Sequence, residues 1–364
     1  MSNLLVWAVR GLLALCLQLC YPAARFQKEE SVRRDPAYAV YETYRYAYER
    51  YGYLFSYAEE TGGEGMVAAG NPSWQGEDGN AGAADREQES TGADGLKTEQ
   101  TGAGSALSAS SLARLQDYDY LIKQYFSVHA STTADRSLMK VEKLLGTDVR
   151  LTKNPDVPQI LIYHTHASET YADYGPQNPD ASVAGAGSYL AELLRQRGWN
   201  VIHDTTAYDR KEGKLERSRA YTYALEGVQG ILQEHPTIEV ILDLHRDGVS
   251  DSLRLVQEIQ GKPTAKIMFF QGMSRTPEGE IAYLPNPYLQ ENLAFCFQMQ
   301  LACGRYPGFT RKIYLKGLRY NLHLRGRSSL IEAGAQTNTK EEVWNAMELL
   351  AEVVDTVLDP VTQK

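Results

Sequence analysis

Hydrophobic and polar positions follow several distinct patterns along this chain, and each predicts a different kind of structure. Residues 4–24 are apolar apart from Arg10, Gln18 and a few small residues, a length that just reaches the roughly 20 residues needed to span a bilayer. The segment (domain 1–24) reads as an uncleaved signal-anchor or as a cleaved signal peptide with Pro22-Ala23-Ala24 near the cut. In residues 25–58, Tyr38, Tyr41, Tyr44, Tyr46, Tyr48, Tyr51, Tyr53 and Tyr57 recur mainly at helical spacings, which suits one packing face of a helix. Residues 59–106 hold almost no branched apolar side chains. Such a stretch cannot bury enough surface to offset its ordering entropy, so it predicts a disordered linker.

Residues 107–155 contain two short patterned stretches, 118–126 and 137–145, that predict lead-in helices. From 156 to 360 apolar runs and amphipathic stretches alternate. Strands are predicted at 159–163, 200–203, 239–244, 265–270, 312–315 and 329–332, and helices at 188–197, 217–233, 292–303 and 340–358. The last helix opens after Asn338-Thr339, two capping residues, and stops at Asp359-Pro360. This alternation predicts an α/β fold, a central mostly parallel sheet flanked by helices. Cys296 and Cys303 lie about 10 Å apart on one predicted helix, too far for a disulfide, and read as core thiols.

Charge changes the picture once it is located. The chain has 37 Lys and Arg against 46 Asp and Glu, a formal net charge of −9. Residues 59–106 hold ten acids and two bases and supply −8 of it. The chain is a nearly neutral body with an acidic leash, and it lacks the basic footprint of a nucleic-acid binder.

Three predicted strands end in chemistry. Ile160-Leu-Ile-Tyr runs into His164, His166 and Glu169; Val240-Ile-Leu-Asp-Leu runs into His245, Arg246 and Asp247; Ser329-Leu-Ile runs into Glu332. Open α/β sheets bind ligands beyond the carboxyl ends of their strands. Two histidines and one carboxylate suit a catalytic zinc with an open position, and a further carboxylate suits the general base for an attacking water. His245-Arg246-Asp247 is not a kinase catalytic loop, because it continues Gly-Val-Ser-Asp and no Gly-rich loop precedes it. Arg246 and Asp247 read as an ion pair holding the His245 loop, or as substrate contacts. His129 and His203 read as structural, and His235, before Pro236, as a helix cap.

The quoted strand ends belong to a larger pattern: Ile162-Tyr-His-Thr-His-Ala-Ser-Glu-Thr-Tyr171, Leu242-Asp-Leu-His-Arg-Asp247, Tyr306-Pro-Gly308, Tyr320-Asn321, Leu330-Ile-Glu-Ala-Gly334 and Asn338-Thr339. With the spacer His203-Asp204, Asp209 and Ser218-Arg219, it resembles the stage II sporulation protein P family from Tyr118 to the C-terminus. The resemblance implies a zinc-dependent peptidoglycan hydrolase related to the N-acetylmuramoyl-L-alanine amidases. It would cleave the amide between glycan and stem peptide, with endopeptidase activity on cross-links also attributed to the family. It places His166 rather than His164 at the metal, His245 as the later metal histidine and Glu332 as the catalytic carboxylate.

The second metal carboxylate of those amidases opens the next helix, where Ala184–Leu190 offers none. Glu169 is the nearest carboxylate for that role, with another carboxylate left open and Glu192 a poorer choice because it lies inside the helix. His164 would orient Glu169 or donate to the oxyanion, Arg246 would bind a stem-peptide carboxylate, and Tyr320 and Asn321 would support the site. Asn321 is followed by Leu322-His323 where the family pattern has Gln, and His323 would stand in as a polar contact. The resemblance also implies a membrane-anchored, extracytoplasmic protein acting in forespore engulfment with stage II sporulation proteins D and M. Two other readings differ in what they predict: a non-catalytic wall-binding scaffold without stoichiometric zinc, and another zinc hydrolase such as a carboxypeptidase with different products.

Overall fold

The computed structural model describes residues 109–359. The N-terminal segment, the Tyr-rich stretch and the linker predicted over 1–106 lie outside the described residues. Among the described residues no helix is long and apolar enough to cross a membrane.

Seven strands form the central sheet: β1 (Phe126–Val128), β2 (Ile160–Tyr163), β3 (Val201–His203), β4 (Val240–Asp247), β5 (Ile267–Gly272), β6 (Ile313–Lys316) and β7 (Arg327–Ala335). Their order is β1-β6-β5-β7-β4-β2-β3. Every neighbouring pair is parallel except β5 with β7. The helices are α1 (Ala109–Leu115), α2 (Tyr118–Tyr125), α3 (Val141–Gly146), α4 (Val183–Gln196), α5 (Ala220–Glu234), α6 (Leu289–Ala302) and α7 (Lys340–Leu358). The expected mostly parallel sheet with flanking helices is what the structure shows.

Strand alternation decides which helix each residue meets. Ile160, Ile162, Val240, Leu242 and Leu244 join the large core with α4, α6 and α7, while Leu161, Tyr163 and Ile241 pack with Ala224 and Val228 of α5. Cys296 and Cys303 are both buried and free, as expected of core thiols. The α7 helix forms where predicted because Thr339 and Glu342 make a reciprocal capping box and its apolar stripe, including Val343, Ala346, Met347 and Leu350, is buried.

Local disagreements have local causes. The predicted helix 118–126 is α2, and its last residue, Phe126, opens edge strand β1 instead. The predicted helix 188–197 begins five residues earlier, at Val183, where the Ser182 hydroxyl accepts the Gly185 N–H at 3.1 Å. Gly185 and Gly187 lower the helix propensity of that turn and hide it from the pattern. The predicted helix 217–233 starts with a short 3₁₀ turn at Arg217–Arg219 before α5. Three small hairpins, pairing Arg210–Lys211 with Lys214–Leu215, Val256–Ile259 with Lys262–Ala265 and Arg275–Thr276 with Gly279–Glu280, carry no strong alternation in the sequence.

Candidate functional site

Sheet register brings two of the three motifs together before any side chain is considered. Glu332 on β7 lies directly beside His245 on β4, and Tyr163 at the end of β2 lies beside Asp243. Paired residues on adjacent strands face the same way, so Asp243, His245 and Glu332 share one face. Past Glu332 the ladder breaks at a bulge in which Gly334 takes φ 65°, a conformation that favours glycine. Asn338 Oδ1 accepts the Ala335 N–H there at 2.9 Å and ties the bulge to the start of α7.

The turn after β2 delivers the remaining donors. Glu169 N–H donates to the His166 carbonyl at 3.1 Å, closing a turn that returns Glu169 towards β4. The Glu169 Oε2 accepts the Arg246 N–H at 3.1 Å and lies 3.7 Å from His245 Nδ1. The His166 and His245 rings stand 5.3 Å apart, nearly perpendicular. The structure therefore brings His166, Glu169, His245 and Glu332 to one place.

Asp243, fully buried, organises this group. Its Oδ1 accepts the Thr165 N–H at 2.9 Å and its Oδ2 the Thr165 hydroxyl at 2.6 Å, while His245 Nε2 lies 2.8 Å from Oδ1 but off the line of a hydrogen bond. Burial alone would lower the His245 imidazole, yet the Asp243 carboxylate, with Glu169 and Glu332 behind it, raises it to about 9. Burial alone would raise Asp243, yet His245 and Thr165 hold it below the usual carboxylate range. Burial, with the His245 charge beside it, lowers His166 to about 4. Glu169 is raised by burial despite His245 and the Arg246 N–H. Glu332 is pushed up to about 8, again by burial.

Two buried atoms in this group have no partner, His166 Nδ1 and Glu332 Oε2, while His245 Nε2 is ion-paired with Asp243 and its Nδ1 faces Glu169. Such groups are costly to leave unpaired and call for an explanation. Two imidazoles and carboxylates form the donor set that zinc takes. The 3.7 Å between His245 Nδ1 and Glu169 Oε2 is too long for a hydrogen bond and close to the about 3.3 Å between two ligands on a tetrahedral ion. Among the described residues no three donors are already gathered around a common point. In chemistry and burial the donors fit the metal, and closing the sphere takes side-chain adjustment.

The other expected residues fall into place differently. His164 continues the Ile160 and Ile162 face and lies under α4, with both nitrogens engaged: Nδ1 lies 2.7 Å from the Leu244 carbonyl and Nε2 2.9 Å from His203 Nε2. A carbonyl only accepts, so His164 Nδ1 carries the proton and His203 Nε2 must donate to His164. The Ser188 hydroxyl then donates to His203 Nδ1 at 3.3 Å. Burial, with each ring's charged neighbours, lowers both histidines to about 4, so the pair is neutral. His164 consequently has no nitrogen left to orient Glu169 or to serve an oxyanion, and that expectation is corrected.

A Cβ on Gly187 would lie 2.6 Å from His164 Nε2 and 2.8 Å from His203 Nε2. Gly187→Ala is expected to cost about 1–3 kcal/mol by overpacking. Thermal unfolding checks this, and an unchanged Tm would show that the pair is free to move.

Asp247 pairs with Arg311, and Arg246 donates to the Asp247 main-chain carbonyl, so the expected Arg246–Asp247 ion pair does not form. Tyr320 and Asn321 both take left-handed backbone, with φ 48° and 57°. Asn321 Nδ2 donates to the Tyr221 carbonyl at 2.8 Å, and the Tyr320 ring meets Tyr221, whose own ring lies 5.6 Å from His166. These two residues support the wall of the site through Tyr221. His323 is half-buried with its Nδ1 buried and unpaired, and desolvation drops its basicity well below normal. Glu192 is exposed and accepts from Gln196, away from the other donors.

Four residues of the site carried no assigned role in the sequence: Asp243, Asp209, Arg217 and Tyr221. Asp243 had a readable signal, because it sits two positions before His245 on an alternating strand. Asp209 is fully buried and accepts from the Ser168 N–H at 3.2 Å and from the Ser168 hydroxyl. Arg217 approaches Glu169 Oε1 to 3.8 Å. Contacts across 41 and 48 positions of sequence leave no local pattern.

Comparison with known proteins follows from this geometry. A search of curated proteins gives no match. Among solved structures, an N-acetylmuramoyl-L-alanine amidase of Nostoc punctiforme is 12% identical with a TM-score of 0.32, covering 56% of this chain and 97% of its own. The catalytic domain of an endolysin targeting Clostridium difficile is 13% identical with a TM-score of 0.30, covering 55% and 96%. An N-acetylmuramyl-L-alanine amidase from Mycobacterium smegmatis is 10% identical with a TM-score of 0.30, covering 55% and 97%. At these scores no residue role carries across. The profile of Stage II sporulation protein P (SpoIIP) matches residues 72–355, well over half of the sequence and all of the strand ends described above. The chain belongs to the stage II sporulation protein P family.

Proposed function

We propose that this chain is a zinc-dependent peptidoglycan hydrolase that cleaves the N-acetylmuramoyl-L-alanine amide. The observation that carries the reading is the convergence of His166, Glu169 and His245 beside Glu332, with His166 Nδ1 and Glu332 Oε2 buried and unpaired. His166, Glu169 and His245 would hold the ion. Bound there, zinc supplies a Lewis acid that polarises the scissile carbonyl and acidifies an attacking water. Glu332 takes the proton of that water and returns it to the leaving amine. Asp243 fixes His245 and the Thr165 backbone, and the Arg246 N–H fixes Glu169, so the donors are aimed before substrate arrives. The extracytoplasmic, membrane-anchored setting, cross-link cleavage and action with stage II sporulation proteins D and M during engulfment complete the proposal, as the family resemblance implies.

Purified protein acting on defined muropeptides tests it. The expected result is stoichiometric zinc, products whose mass shows a freed muramic lactyl group, and loss of both zinc and turnover in His166→Ala. Zinc uptake is also expected to weaken from pH 8 to pH 6, because His245 holds a proton up to about pH 9 that a ligand must release. Full turnover by His166→Ala would sink the proposal. Absence of zinc would favour a scaffold, and products cut only within the peptide would favour a carboxypeptidase or endopeptidase.

A further inference from the structure

The segment from Asp209 to Arg219 is a small exposed hairpin that the mechanism above does not use. Its two-residue turn has left-handed backbone at both Glu212 (φ 52°) and Gly213 (φ 80°), the geometry that matches strand twist in a tight hairpin. The Glu216 N–H donates to the Asp209 carbonyl at 2.8 Å and closes its base. Two links fasten this base to the metal-ligand turn. Asp209 accepts from Ser168, the residue before Glu169, and Arg217 Nη1 reaches to 3.8 Å from Glu169 Oε1. The Tyr223 ring braces the arm from below, with Lys211 Nζ 5.4 Å and Arg219 Cζ 5.0 Å from its centroid.

Its charge leans positive: Arg210, Lys211, Lys214, Arg217 and Arg219 stand against Glu212, Glu216 and the buried Asp209. Arg217 is the member at the site. Its side chain is 48% exposed while Glu169 beneath it is 7% exposed, so the guanidinium lies between the buried donors and solvent. At 3.8 Å its contact with Glu169 is a charge contact and not a hydrogen bond, which leaves its planar fork of N–H donors unspent. On the other side of Glu169, the Arg246 Nε is buried and also without a partner. A half-exposed guanidinium with free donors, mounted on a braced arm beside the reacting group, matches a planar anion better than a sugar hydroxyl.

We infer that Arg217 is a specificity-determining residue that binds a carboxylate of the substrate's peptide, with the Asp209–Arg219 hairpin as its rigid arm. The inference rests on the hydrolase reading and deepens it: the substrate is recognised by an ionised carboxylate next to the scissile amide.

The test uses the full chain and two soluble muropeptides that differ only in whether one stem-peptide carboxylate is free or amidated. Wild type is expected to prefer the free acid. Arg217→Ala and Arg217→Gln are expected to raise its KM by roughly 10- to 100-fold, the range of a lost charged hydrogen-bonded pair. The loss is expected to fall on KM rather than kcat and to be at least about tenfold larger on the free acid than on the amidated substrate, while Arg217→Lys recovers part of the preference. Equal losses on both substrates, or a fall in kcat on both, would mean that Arg217 only steadies Glu169 and would overturn the inference. So would no change, or a loss seen on whole sacculi but not on the soluble fragments, which would indicate a general polyanion contact. A wild type that hydrolyses neither fragment nor sacculus removes the hydrolase reading and this inference together; an active wild type with an indifferent Arg217 removes this inference alone.

Discussion

Glu332→Gln is expected to reduce the hydrolytic rate by at least about a thousandfold, within the 10²–10⁴ range contributed by a positioned general base, while leaving the fold intact. The reasoning runs from the register of β7 against β4. Glu332 is delivered beside His245 by backbone pairing, so a neutral amide of the same shape inherits the position. Its Oε2 has no hydrogen-bond partner to lose. Burial pushes the carboxyl up to about 8, so in the metal-free protein it is already mostly uncharged near neutrality. Replacement by Gln therefore removes basicity and little else. Single-turnover kinetics on a muropeptide, with thermal unfolding alongside, separate the two effects. Turnover within tenfold of wild type would exclude Glu332 as the base, and a collapsed fold would show that its oxygen has a structural partner.

Asp243→Ala should produce the largest loss of stability among these variants, about 3–5 kcal/mol, the usual consequence of removing one member of a buried charge pair. Asp243 is fully buried, and its loss strands the Thr165 N–H and hydroxyl together with the His245 ring. The pH dependence in the metal-free protein has a definite sign. His245 is raised from 6.5 to about 9, so its share of the stabilisation is complete below about pH 6.5 and is lost as pH rises through about 9. Asp243 is lowered from 3.8, so its share is present above that value and is lost as pH falls through its lower native value. The gap between wild type and variant is thus widest between about pH 4 and 6.5. Urea unfolding at pH 5.5 and at pH 9.5 measures it; a gap under about 1 kcal/mol at pH 5.5 would show that Asp243 bears no load.

Much of this architecture is legible before folding because its signals are local. The helix at 340–358 is announced by a cap, an acidic first turn, a sustained apolar stripe and a stop. The short, branched apolar runs at 160–163 and 240–242 read as buried strands, and they are. The ends of the strands at 160–163, 240–244 and 329–332 then offer His164, His166, Glu169, His245 and Glu332 as candidates, because chemistry at a strand's carboxyl end has a standard place in an open α/β sheet. The start of α4 was hidden by glycines whose purpose lies elsewhere: Gly187 is small because His164 and His203 occupy its space.

His164 and His166 show where sequence reasoning ends. Two residues apart on a motif, they are equivalent as text, and the family resemblance favours His166 without saying where His164 goes. The fold sends His164 under α4, to a carbonyl and a second histidine from 39 positions away, and leaves His166 facing His245. Asp243, Asp209 and Arg217 likewise acquire partners only through contacts between distant segments.

The sequence by itself determined the fold class, the concentration of acidic charge in residues 59–106, and the residue types available for catalysis, since periodicity, composition and strand ends are properties of neighbouring positions. The tertiary structure alone decided which histidine is spent on packing, which carboxylate braces which ligand, and which arginine stands at the opening of the site. Those are distances between atoms tens to hundreds of positions apart, fixed by sheet register and helix packing, and no local pattern encodes them.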